Sequence, residues 1–362
     1  MFNNIYSGKK VLVTGHTGFK GSWLCAWLQM LGAEVCGVAL ELDTEPSHFK
    51  LLAPDFRSEI CDICDGKKVQ DIFSGFQPEA VFHLAAQPIV RLSYREPAAT
   101  FAANVMGTVN VLEACRNTGS VRAIVAISSD KCYENREQLV GYKEDDPMGG
   151  YDPYSASKGC TELVISSYRR SFFNNCDFGT KHNTLLASGR AGNVIGGGDW
   201  ACDRLVPDIM RAASEGKTAI IRSPHSVRPW QHVLEPLSGY LLLGRKLLNG
   251  DVSAAEAWNF GPDDDGVICV RQAAEMLKNC WSAVSIKEDP PKEQVHEAKL
   301  LRLDCTKARE RLDWHGTLTP LQTFEMTSAW YRSFYTENKL LTQPQIEEYI
   351  SLAQQRNLSW TK

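Results

Sequence analysis

Short apolar runs alternate with amphipathic stretches through the first half of the chain. Runs rich in β-branched and apolar residues predict strands at 10–14, 34–39, 58–61, 80–84, 123–128 and 183–188. Between them, apolar residues recur with a helical period and predict helices at 18–31, 66–76, 98–116 and 153–173. Strands that alternate with helices in this way favour an α/β fold with a doubly wound parallel sheet.

The second half of the chain is less regular but carries the same kinds of element. Helices are predicted at 205–215 and 234–248, and a late strand at 257–261. No obvious linker separates two domains, so a second lobe would leave and re-enter the first domain. We therefore expect one domain over residues 1–190 with a re-entrant segment at roughly 228–260, and a smaller mixed α/β lobe over residues 191–362 interleaved with it.

A glycine-rich turn joins the first predicted strand to the first predicted helix. Its three glycines have the spacing G-x-x-G-x-x-G and precede an apolar helix face. Glycines let the backbone approach a pyrophosphate, and the helix N-terminus adds unpaired N–H groups. The pattern predicts the dinucleotide site of a Rossmann-type domain, although the spacing also fits an ordinary strand-to-helix turn. The predicted cofactor contacts in this turn are Gly15, His16, Thr17, Gly18, Phe19, Lys20 and Gly21.

Other strand ends are predicted to line the same cofactor. The small residues that follow the fourth strand are Leu84, Ala85, Ala86 and Gln87. Asp62 and Ile63 follow the third strand, where they can reach an adenine. An acid that binds the adenosine ribose is expected about 20 residues past the glycines, where Glu41 and Asp43 lie. Neither has an arginine beside it for a 2′-phosphate, which favours NAD over NADP.

Tyr154 and Lys158 are four positions apart on a predicted helix and so share one face of it. A neighbouring ammonium and the positive nicotinamide ring both favour the phenolate, which makes Tyr154 a usable base toward a substrate hydroxyl. Ser129, Asp130 and Lys131 follow the fifth strand, and ligands of open parallel sheets bind at the carboxyl ends of strands. The alternatives are a surface Tyr–Lys pair and plain turn chemistry.

Composition excludes some classes of protein. The 362 residues are 43% hydrophobic with a formal net charge of −4, which does not suggest a nucleic-acid-binding surface. The most apolar window, 23–40, is interrupted by Gln29, Gly32, Glu34 and Gly37, so no membrane span is expected. Residues 1–10 carry no apolar run of signal-peptide length, and we expect a cytoplasmic protein.

Twelve cysteines are scattered without a disulfide framework, and reduced thiols are expected. Cys61 and Cys64 form a C-x-x-C motif, which in other proteins binds a metal or carries redox chemistry. No second pair has zinc-like spacing, so two thiols near a strand end are favoured and no metal is expected.

Together these motifs resemble the extended short-chain dehydrogenase/reductase family over nearly the whole chain. Within that family the chain is similar to the nucleotide-sugar dehydratases that act on CDP-glucose. The stretches that carry the resemblance are 13–23, 129–133, 149–155, 190–200 and 228–233. The glycine and Tyr–Lys motifs are shared by the whole superfamily, whereas Gly-Gly-Gly-Asp-Trp at 196–200 and Arg-Pro-Trp-Gln-His at 228–232 are narrower signals.

The resemblance implies a lyase with a retained NAD and an internal redox cycle. Tyr154 would take the proton of the sugar 4-hydroxyl as hydride leaves C4, and Ser129 would polarise the 4-oxygen. Asp130 would protonate the departing 6-hydroxyl, and hydride would return to C6. The product, CDP-4-dehydro-6-deoxyglucose, would serve deoxysugar synthesis of the lipopolysaccharide type. Lys158 would hold the nicotinamide ribose and lower the pKa of Tyr154.

Two positions depart from the related dTDP-glucose dehydratases. Lys131 stands where those enzymes carry a glutamate that resembles the C5 base, so Lys131 is a candidate base only if burial or a nearby cation lowers its pKa. Ser129 replaces the more usual threonine and supplies the same hydroxyl. The resemblance also places Asn104 and Ser128 at the cofactor.

The second lobe is expected to hold the nucleotide half of the substrate. Arg204 opens a helix that would cover the pyrimidine, and Arg228 suits a bidentate diphosphate contact. The predicted substrate contacts are Gln87, Asn193, Arg204, Leu205, Val206, Arg228 and His232, of which His232 is equally consistent with packing. Trp200 and Trp230 either stack on a base or fill the core.

Two other functions stay open. A nucleotide-sugar 4-epimerase or reductase of the same fold needs no acid for a leaving 6-hydroxyl, so Asp130 favours the dehydratase. A non-catalytic NAD-binding regulator would be favoured by the loss of Tyr154 or Lys158, and both are present. The resemblance also implies a homodimer or homotetramer. The apolar residues that fit such an interface, or an intramolecular core equally well, are Val105, Val109, Leu112, Leu163 and Val164.

Overall fold

A parallel sheet forms the centre of the part of the chain that the computed structural model describes, residues 1–41, 44–289 and 300–362. The strands of this part are β1 (Lys10–Thr14), β2 (Glu34–Ala39), β3 (Arg57–Ile60), β4 (Ala80–His83), β5 (Ala123–Ile127), β6 (Leu185–Arg190), β7 (Val194–Ile195), β8 (Thr218–Ile221), β9 (Val227–Pro229), β10 (Gln231–His232), β11 (Ala257–Asn259), β12 (Val267–Cys269) and β13 (Ser285–Glu288). Seven of these strands lie in the order β3-β2-β1-β4-β5-β6-β11, and all neighbours are parallel. This is the doubly wound order of a Rossmann-type sheet with one strand added, so the predicted fold class is confirmed.

Helices cover both faces of this sheet. Those of the described residues are α1 (Phe19–Met30), α2 (His48–Leu52), α3 (Gly66–Phe76), α4 (Val90–Arg95), α5 (Pro97–Phe101), α6 (Gly107–Arg116), α7 (Pro153–Ser171), α8 (Leu205–Ser214), α9 (Leu234–Leu248), α10 (Val270–Cys280), α11 (Thr306–Leu312), α12 (Pro320–Glu337) and α13 (Thr342–Gln355). A π-helical turn, Ala102–Met106, joins α5 to α6.

Alternation along the strands divides the buried side chains between two cores. Val11 and Val13 of β1 belong to the core under α1 and α9, and Leu12 belongs to the core under α3, α6 and α7. All three are fully buried, because both faces of the sheet are covered. Burial of one such side chain stabilises the fold by ~1.5–3 kcal/mol. The buried strands therefore hold the residues that follow their ends in fixed positions.

Most predicted elements are present, with shifted ends. The predicted strand 183–188 is β6, whose pairing with β5 starts at Leu185. The predicted helix 98–116 is divided into α5, the π-helical turn and α6. Helix α4 is missing from the prediction, because a six-residue helix that ends just before Pro97 is too short to show a helical period.

The second lobe is interleaved with the sheet domain. Helix α9 packs on β5 and β6, and β11 pairs with β6, so the segment from α9 to β11 extends the main sheet. The pairs β7–β10, β8–β13 and β9–β12 form small sheets of the lobe. Helix α13 then returns to pack on α1, and Trp360 stacks on Phe2 with ring centroids 5.3 Å apart. The last part of the chain thus lies against the first domain.

In the described ranges, none of the helices is long and apolar enough to cross a membrane. All twelve cysteines are free thiols. The same residues hold no cluster of three or more His, Cys, Asp or Glu suited to a metal ion.

Candidate active site

A cavity of about 350 Å³ opens at the carboxyl ends of the sheet strands, between the sheet and the second lobe. Lys20, Ser129, Asp130, Lys131 and Tyr154 line it from the sheet domain. The residues that line it from the second lobe include Asn193, Arg204, Leu205, Val206, Arg228 and Trp230. The parallel sheet thus brings together at one edge side chains that are far apart along the chain.

The glycine turn is shaped by close backbone packing. Gly15 has a φ of +76°, and a β-carbon there would lie 2.8 Å from the amide nitrogen of Ala85. A β-carbon at Gly21 would lie 2.0 Å from the carbonyl oxygen of Gly15, so only glycine lets α1 start this close to β1. Gly18 caps α1 without a side chain, which leaves the first N–H groups of the helix for an anion. These features fit the pyrophosphate of a dinucleotide.

The side chains of His16 and Thr17 brace this turn. The His16 ring is fully buried, its Nε2 lies 2.7 Å from the Oγ of Ser58, and it stands edge-on to Phe49. Burial lowers the pKa of His16 to about 4, so the ring is neutral. Thr17 donates to the carbonyl of Leu40 at 2.9 Å. The turn is therefore tied to the ends of β2 and β3.

The predicted adenine and ribose contacts lie beyond β2 and β3. Asp62 accepts a hydrogen bond from the amide of Cys64 at 2.8 Å, and Ile63 is buried against α6. Glu41 is exposed two residues after the end of β2. Asp43, the other candidate ribose ligand, lies outside the described residues.

The segment after β4 is held by two polar side chains. The Oγ1 of Thr14 accepts from the amides of Leu84 and Ala85, each at 3.1 Å. Asn104 accepts from the amide of Gln87 at 2.7 Å and donates to a hydroxyl of α7. Asn104 lies in the π-helical turn, a distortion that is frequent at functional sites. The predicted cofactor contacts 84–87 and Asn104 therefore form one connected unit.

Tyr154 lies in the first turn of α7. The helix begins after Asp152, whose carboxylate accepts from the amide of Ser155 at 2.9 Å. The amide of Tyr154 donates to the Oγ of Ser93 at 3.1 Å, which ties the start of α7 to α4. These two hydrogen bonds fix the start of α7, and with it the Tyr154 phenol, at the cavity wall.

Burial dominates the electrostatics of this end of the cavity. It raises the pKa of Tyr154 to about 12, while a hydrogen bond with Ser129 and the charge of Arg204 lower it. Arg204, rather than the predicted Lys158, is thus the cation with the largest effect on the phenol. Burial and the neighbouring Lys20 lower the pKa of Lys158 to about 8. Burial and Arg204 lower the pKa of Lys20 to about 8.

Asp130 offers a carboxylate oxygen that no described residue satisfies. Its Oδ1 accepts from the Oγ of Ser129 at 2.9 Å. Its Oδ2 is buried and has no hydrogen-bond partner within the described ranges. The residue is 2% exposed and lies on the cavity wall. Because a buried polar atom without a partner is unfavourable, the position suits a partner that a ligand brings.

A buried ion pair supports the ends of β5 and β6. Glu162 of α7 and Arg190 of β6 are 2.8 Å apart, and each side chain is 4% exposed. Ser128 and Ser188 both donate to the Glu162 carboxylate. Ser128 also lines the cavity, so this predicted cofactor contact is held by the network. Loss of one partner of such a pair leaves an uncompensated charge, which costs about 3–5 kcal/mol.

Two predicted substrate contacts lie off the cavity lining. The Gln87 side chain is engaged with Thr100 at 2.9 Å and with the amide of Ile89. The His232 ring is fully buried edge-on to Trp23, and burial lowers its pKa to about 3. His232 therefore packs, which is the second of the two roles that the sequence allows.

Trp200 and Trp230, which belong to the motifs at 196–200 and 228–232, have different surroundings. Trp230 lines the cavity and donates to the carbonyl of Ile268 at 3.1 Å. Trp200 lies in an aromatic cluster with Trp330, at a centroid distance of 5.6 Å, and donates to Tyr335 at 2.9 Å. Trp200 therefore fills the core, whereas Trp230 borders the cavity.

Several charged residues of the cavity are missing from the sequence prediction. Arg91 follows β4, and Asp199, Asp203 and Arg222 come from the second lobe. Asp199 is 2.8 Å from Arg204 and lies inside the Gly-Gly-Gly-Asp-Trp run, the one signal that could have found it. Isolated arginines and aspartates outside motifs look like ordinary surface residues in a sequence.

The fold and this cavity define a short-chain dehydrogenase/reductase of the extended type. Residues 12–327 match the family model of GDP-mannose 4,6 dehydratase, and the chain belongs to that family. It is 47% identical to CDP-glucose 4,6-dehydratase of Salmonella typhimurium over 96% of this chain and 98% of that protein. The resemblance inferred from the motifs is confirmed.

Solved structures show the same fold. UDP-glucose 4-epimerase of Thermotoga maritima, solved with UDP-glucose, superposes with a TM-score of 0.76 at 24% identity, over 90% of this chain and 99% of that chain. UDP-glucose 4-epimerase of Thermus thermophilus, solved with NAD, gives a TM-score of 0.76 at 22% identity, over 89% and 99%. At 22–24% identity, this similarity shows a shared fold and does not by itself show a shared activity.

Proposed function

We propose that this protein dehydrates CDP-D-glucose to CDP-4-dehydro-6-deoxy-D-glucose with a retained NAD, as a hydro-lyase of deoxysugar synthesis. The observation that carries the proposal is the buried carboxylate of Asp130. Its Oδ1 accepts from Ser129, which also hydrogen-bonds to Tyr154, and its Oδ2 has no partner among the described residues. Epimerisation at C4 needs a base at the 4-hydroxyl, whereas loss of the 6-hydroxyl also needs an acid. The 47% identity to a CDP-glucose 4,6-dehydratase supports the choice of nucleotide.

The described residues fit NAD. The glycine turn and the start of α1 would hold the pyrophosphate, Asp62 and Ile63 the adenine, and Lys158 the nicotinamide ribose. The segment 84–87, braced by Asn104, would lie against the nicotinamide half, with Ser128 and Tyr154 beside it. When bound, NAD supplies the acceptor for the C4 hydride and later the donor of hydride to C6.

Tyr154 is the base of the first step and takes the proton of the sugar 4-hydroxyl. Ser129 hydrogen-bonds to Tyr154 and polarises the 4-oxygen as it becomes a carbonyl. The phenolate forms only when the pKa of Tyr154 falls from about 12. A positive ring beside the phenol adds to the effect of Arg204 and lowers it. The C4 ketone then acidifies the C5 hydrogen.

Loss of water needs a base at C5 and an acid at the 6-hydroxyl. Lys131, half-buried on the cavity wall, is the candidate that takes the C5 proton. Asp130 gives its proton to the 6-hydroxyl, which leaves as water. A proton then returns to C5 as hydride returns to C6. The sugar has lost one water, and the cofactor ends in the state in which it began.

The nucleotide lies over the second lobe. Arg228 and Asn193 contact the diphosphate, and Arg204, Leu205 and Val206 at the start of α8 cover the cytosine. Gln87 and His232 lie behind the residues that line the cavity, so they stabilise the site without contacting the substrate. The cofactor domain then comprises residues 1–190 with the re-entrant segment from α9 to β11. This segment is shorter than the predicted 228–260, because β9 and β10 pair with strands of the lobe, and the remaining residues of 191–362 form the substrate lobe. Packing of α9 on β5 and pairing of β11 with β6 support this division.

We also propose a homodimer or homotetramer in the cytoplasm. Met106 and Leu163 are 53% and 60% exposed near the α6–α7 pair, which supports an interface there. Val105 and Val109 are half-buried, and Val164 packs on the core of α3, α6 and α7. Leu112 is fully buried in that core, which is the second of the two roles that the sequence leaves open for it. The twelve free thiols support a reducing compartment.

The proposed function is tested by incubation of the protein and NAD with CDP-glucose, UDP-glucose and dTDP-glucose in separate reactions, followed by mass spectrometry. The expected result is loss of one water from CDP-glucose alone, with no net consumption of NAD. The Tyr154→Phe variant is the matched control and is expected to form product about 10²–10⁴-fold more slowly. An unchanged mass with altered sugar stereochemistry would indicate an epimerase, and no reaction at all would indicate a binding protein.

A further inference from the structure

The rim of the cavity holds a carboxylate between two arginines from opposite sides. Asp203, in the loop before α8, has its Oδ1 3.3 Å from the Nη1 of Arg91 and 2.8 Å from the Nη1 of Arg222. Arg91 belongs to α4 of the sheet domain, and Arg222 follows β8 of the second lobe. All three residues line the cavity. These residues, called here the rim triad, link the two sides of the molecule through one oxygen atom.

Further charged side chains surround the rim triad. The hydrogen bond from Arg222 lowers the pKa of Asp203, and Arg91 and Arg95 lower it further, so the carboxylate is ionised at neutral pH. Next to it, Asp208 is 3.0 Å from Arg211 and 3.7 Å from Arg222. Among the residues that the structure describes, the guanidinium groups of Arg95 and Arg211 thus lie near the triad together with the carboxylate of Asp208. Guanidinium groups are also the side chains that bind the oxygens of a diphosphate.

The ion pairs of the rim triad are exchangeable. The side chains of Arg91, Asp203 and Arg222 are 43%, 37% and 34% exposed. Ion pairs in contact with solvent contribute little to stability, so a stronger acceptor replaces the carboxylate at small cost. Phosphate oxygens are such acceptors, because the guanidinium fork matches them in geometry and charge.

The backbone holds the Asp203 carboxylate in its place. Asp203 has a φ of +62°, in the left-handed region that aspartate and asparagine adopt more readily than other residues with side chains. One residue later, Arg204 is 2.8 Å from Asp199, which fixes the loop from its other end. The carboxylate is therefore presented to the arginines by a defined loop geometry.

We propose that Asp203 occupies the place of the substrate diphosphate, and that Arg91 and Arg222 bind that diphosphate once it displaces the carboxylate. The proposal rests on the proposed function in taking the nucleoside diphosphate as the ligand of this cavity. It adds two binding residues and an internal competitor to the expected contact from Arg228. One ligand group would then join α4 of the sheet domain to β8 of the second lobe.

The test is the titration of CDP, and separately of cytidine, into the protein by isothermal calorimetry. Asp203→Asn keeps a residue that tolerates the left-handed φ and removes the competing charge, so CDP affinity is expected to rise about two- to fivefold. Arg91→Ala and Arg222→Ala each lose a charge-assisted bond to phosphate, so CDP affinity is expected to fall about tenfold or more. Cytidine lacks the diphosphate, so its binding stays the same in all variants.

Glu113→Gln is the matched control for Asp203→Asn, because Glu113 pairs with Arg116 at 2.6 Å on α6, away from the cavity. It is expected to bind CDP as the unaltered protein does. Weaker CDP binding by Asp203→Asn, or unchanged binding by both arginine variants, overturns the proposal.

The choice of nucleotide is tested apart from the rim triad. If UDP or dTDP binds and CDP does not, the proposed nucleotide fails, and the same variants titrated with the nucleotide that binds decide the role of the triad. If none of the three nucleotides binds the unaltered protein, the rim triad is not a diphosphate site.

Discussion

Gly192 lies directly against the carboxylate of Asp130. A β-carbon at residue 192 would lie 1.9 Å from the Oδ2 and 2.3 Å from the Cγ of Asp130. The clash is with the end of a side chain, so the carboxylate would turn away before the backbone moved. The absence of a side chain at residue 192 is therefore what lets Asp130 reach the cavity.

Gly192→Ala is expected to slow the loss of water about 10²–10⁴-fold, the range for loss of one general acid, with a much smaller effect on the first oxidation. Asp130→Asn should show the same pattern. Single-turnover measurements follow the reduced cofactor by absorbance and the product by mass spectrometry. Gly119→Ala is the control, because a β-carbon there meets nothing within 4 Å. Equal slowing of both steps by either cavity variant would remove Asp130 from its role as acid.

Tyr154→Phe is expected to reduce the rate of the first oxidation about 10²–10⁴-fold. The active form of the base is the deprotonated one, and burial raises the pKa of Tyr154 to about 12 in the cofactor-free protein. The oxidation rate should therefore rise with pH through the neutral range. The measurement is the pH profile of reduced-cofactor formation in a single turnover. Tyr151→Phe, at a 76% exposed tyrosine nearby, should match the unaltered protein; near-normal turnover by Tyr154→Phe would exclude this base.

Lys131→Met is expected to slow exchange of the C5 hydrogen about 100-fold or more, because removal of the base leaves only water. The readout is deuterium uptake from D2O at C5 of the 4-keto product, followed by mass spectrometry. Lys20→Met is the matched comparison, since Lys20 lines the same cavity and burial lowers its pKa to about 8. Exchange that survives in Lys131→Met and stops in Lys20→Met would assign the base to Lys20.

Glu235 joins α9 to the C-terminal helices. Its carboxylate accepts from the amides of Thr317 and Leu318, at 2.9 Å and 2.7 Å, and from the hydroxyl of Tyr349 at 2.9 Å. Burial raises the pKa of Glu235 from 4.5 to about 7. The folded state thus holds a proton that the unfolded state releases. The stability from this group is fully present below about pH 4.5 and is lost as the pH rises through about 7.

Glu235→Gln cannot take up that proton. The difference in unfolding free energy between the unaltered protein and the variant is expected to shrink by up to about 3 kcal/mol between pH 5 and pH 8. Urea denaturation at both pH values measures it. The buried histidines titrate in both proteins and cancel in the difference. Glu275→Gln, at an exposed residue, should show no such change. A constant difference for Glu235→Gln would mean that Glu235 has an ordinary pKa.

Local patterns predict the sheet and the residues at its carboxyl edge. The spacing of Tyr154 and Lys158, and the position of Asp130 after β5, follow from helix and strand periods together with the rule that parallel strand ends meet. Such features depend on neighbours within a few positions. These features can therefore be predicted from the sequence before the fold is known.

Pairs formed by distant parts of the chain are not predicted. Glu162 and Arg190 meet because α7 crosses under β6, and Arg91 meets Asp203 because the second lobe folds over α4. The burial of His232 likewise depends on Trp23 of α1, which comes close only in the finished fold. These contacts depend on tertiary packing, and no periodic signal marks them in one sequence.

Helix α1, which starts at the glycine turn, is covered by residues from the far end of the chain. Trp27 contacts Trp360 at a centroid distance of 5.8 Å, and the amide of Asn3 donates to the carbonyl of Lys362 at 2.8 Å. Trp360 is translated more than three hundred positions after Trp27. On the ribosome, the helix that starts at the glycine turn therefore leaves the exit tunnel before the C-terminal residues that cover it have been made. Its cover is complete only when that tryptophan has also emerged, so the part of the site that is made first is among the last to be covered.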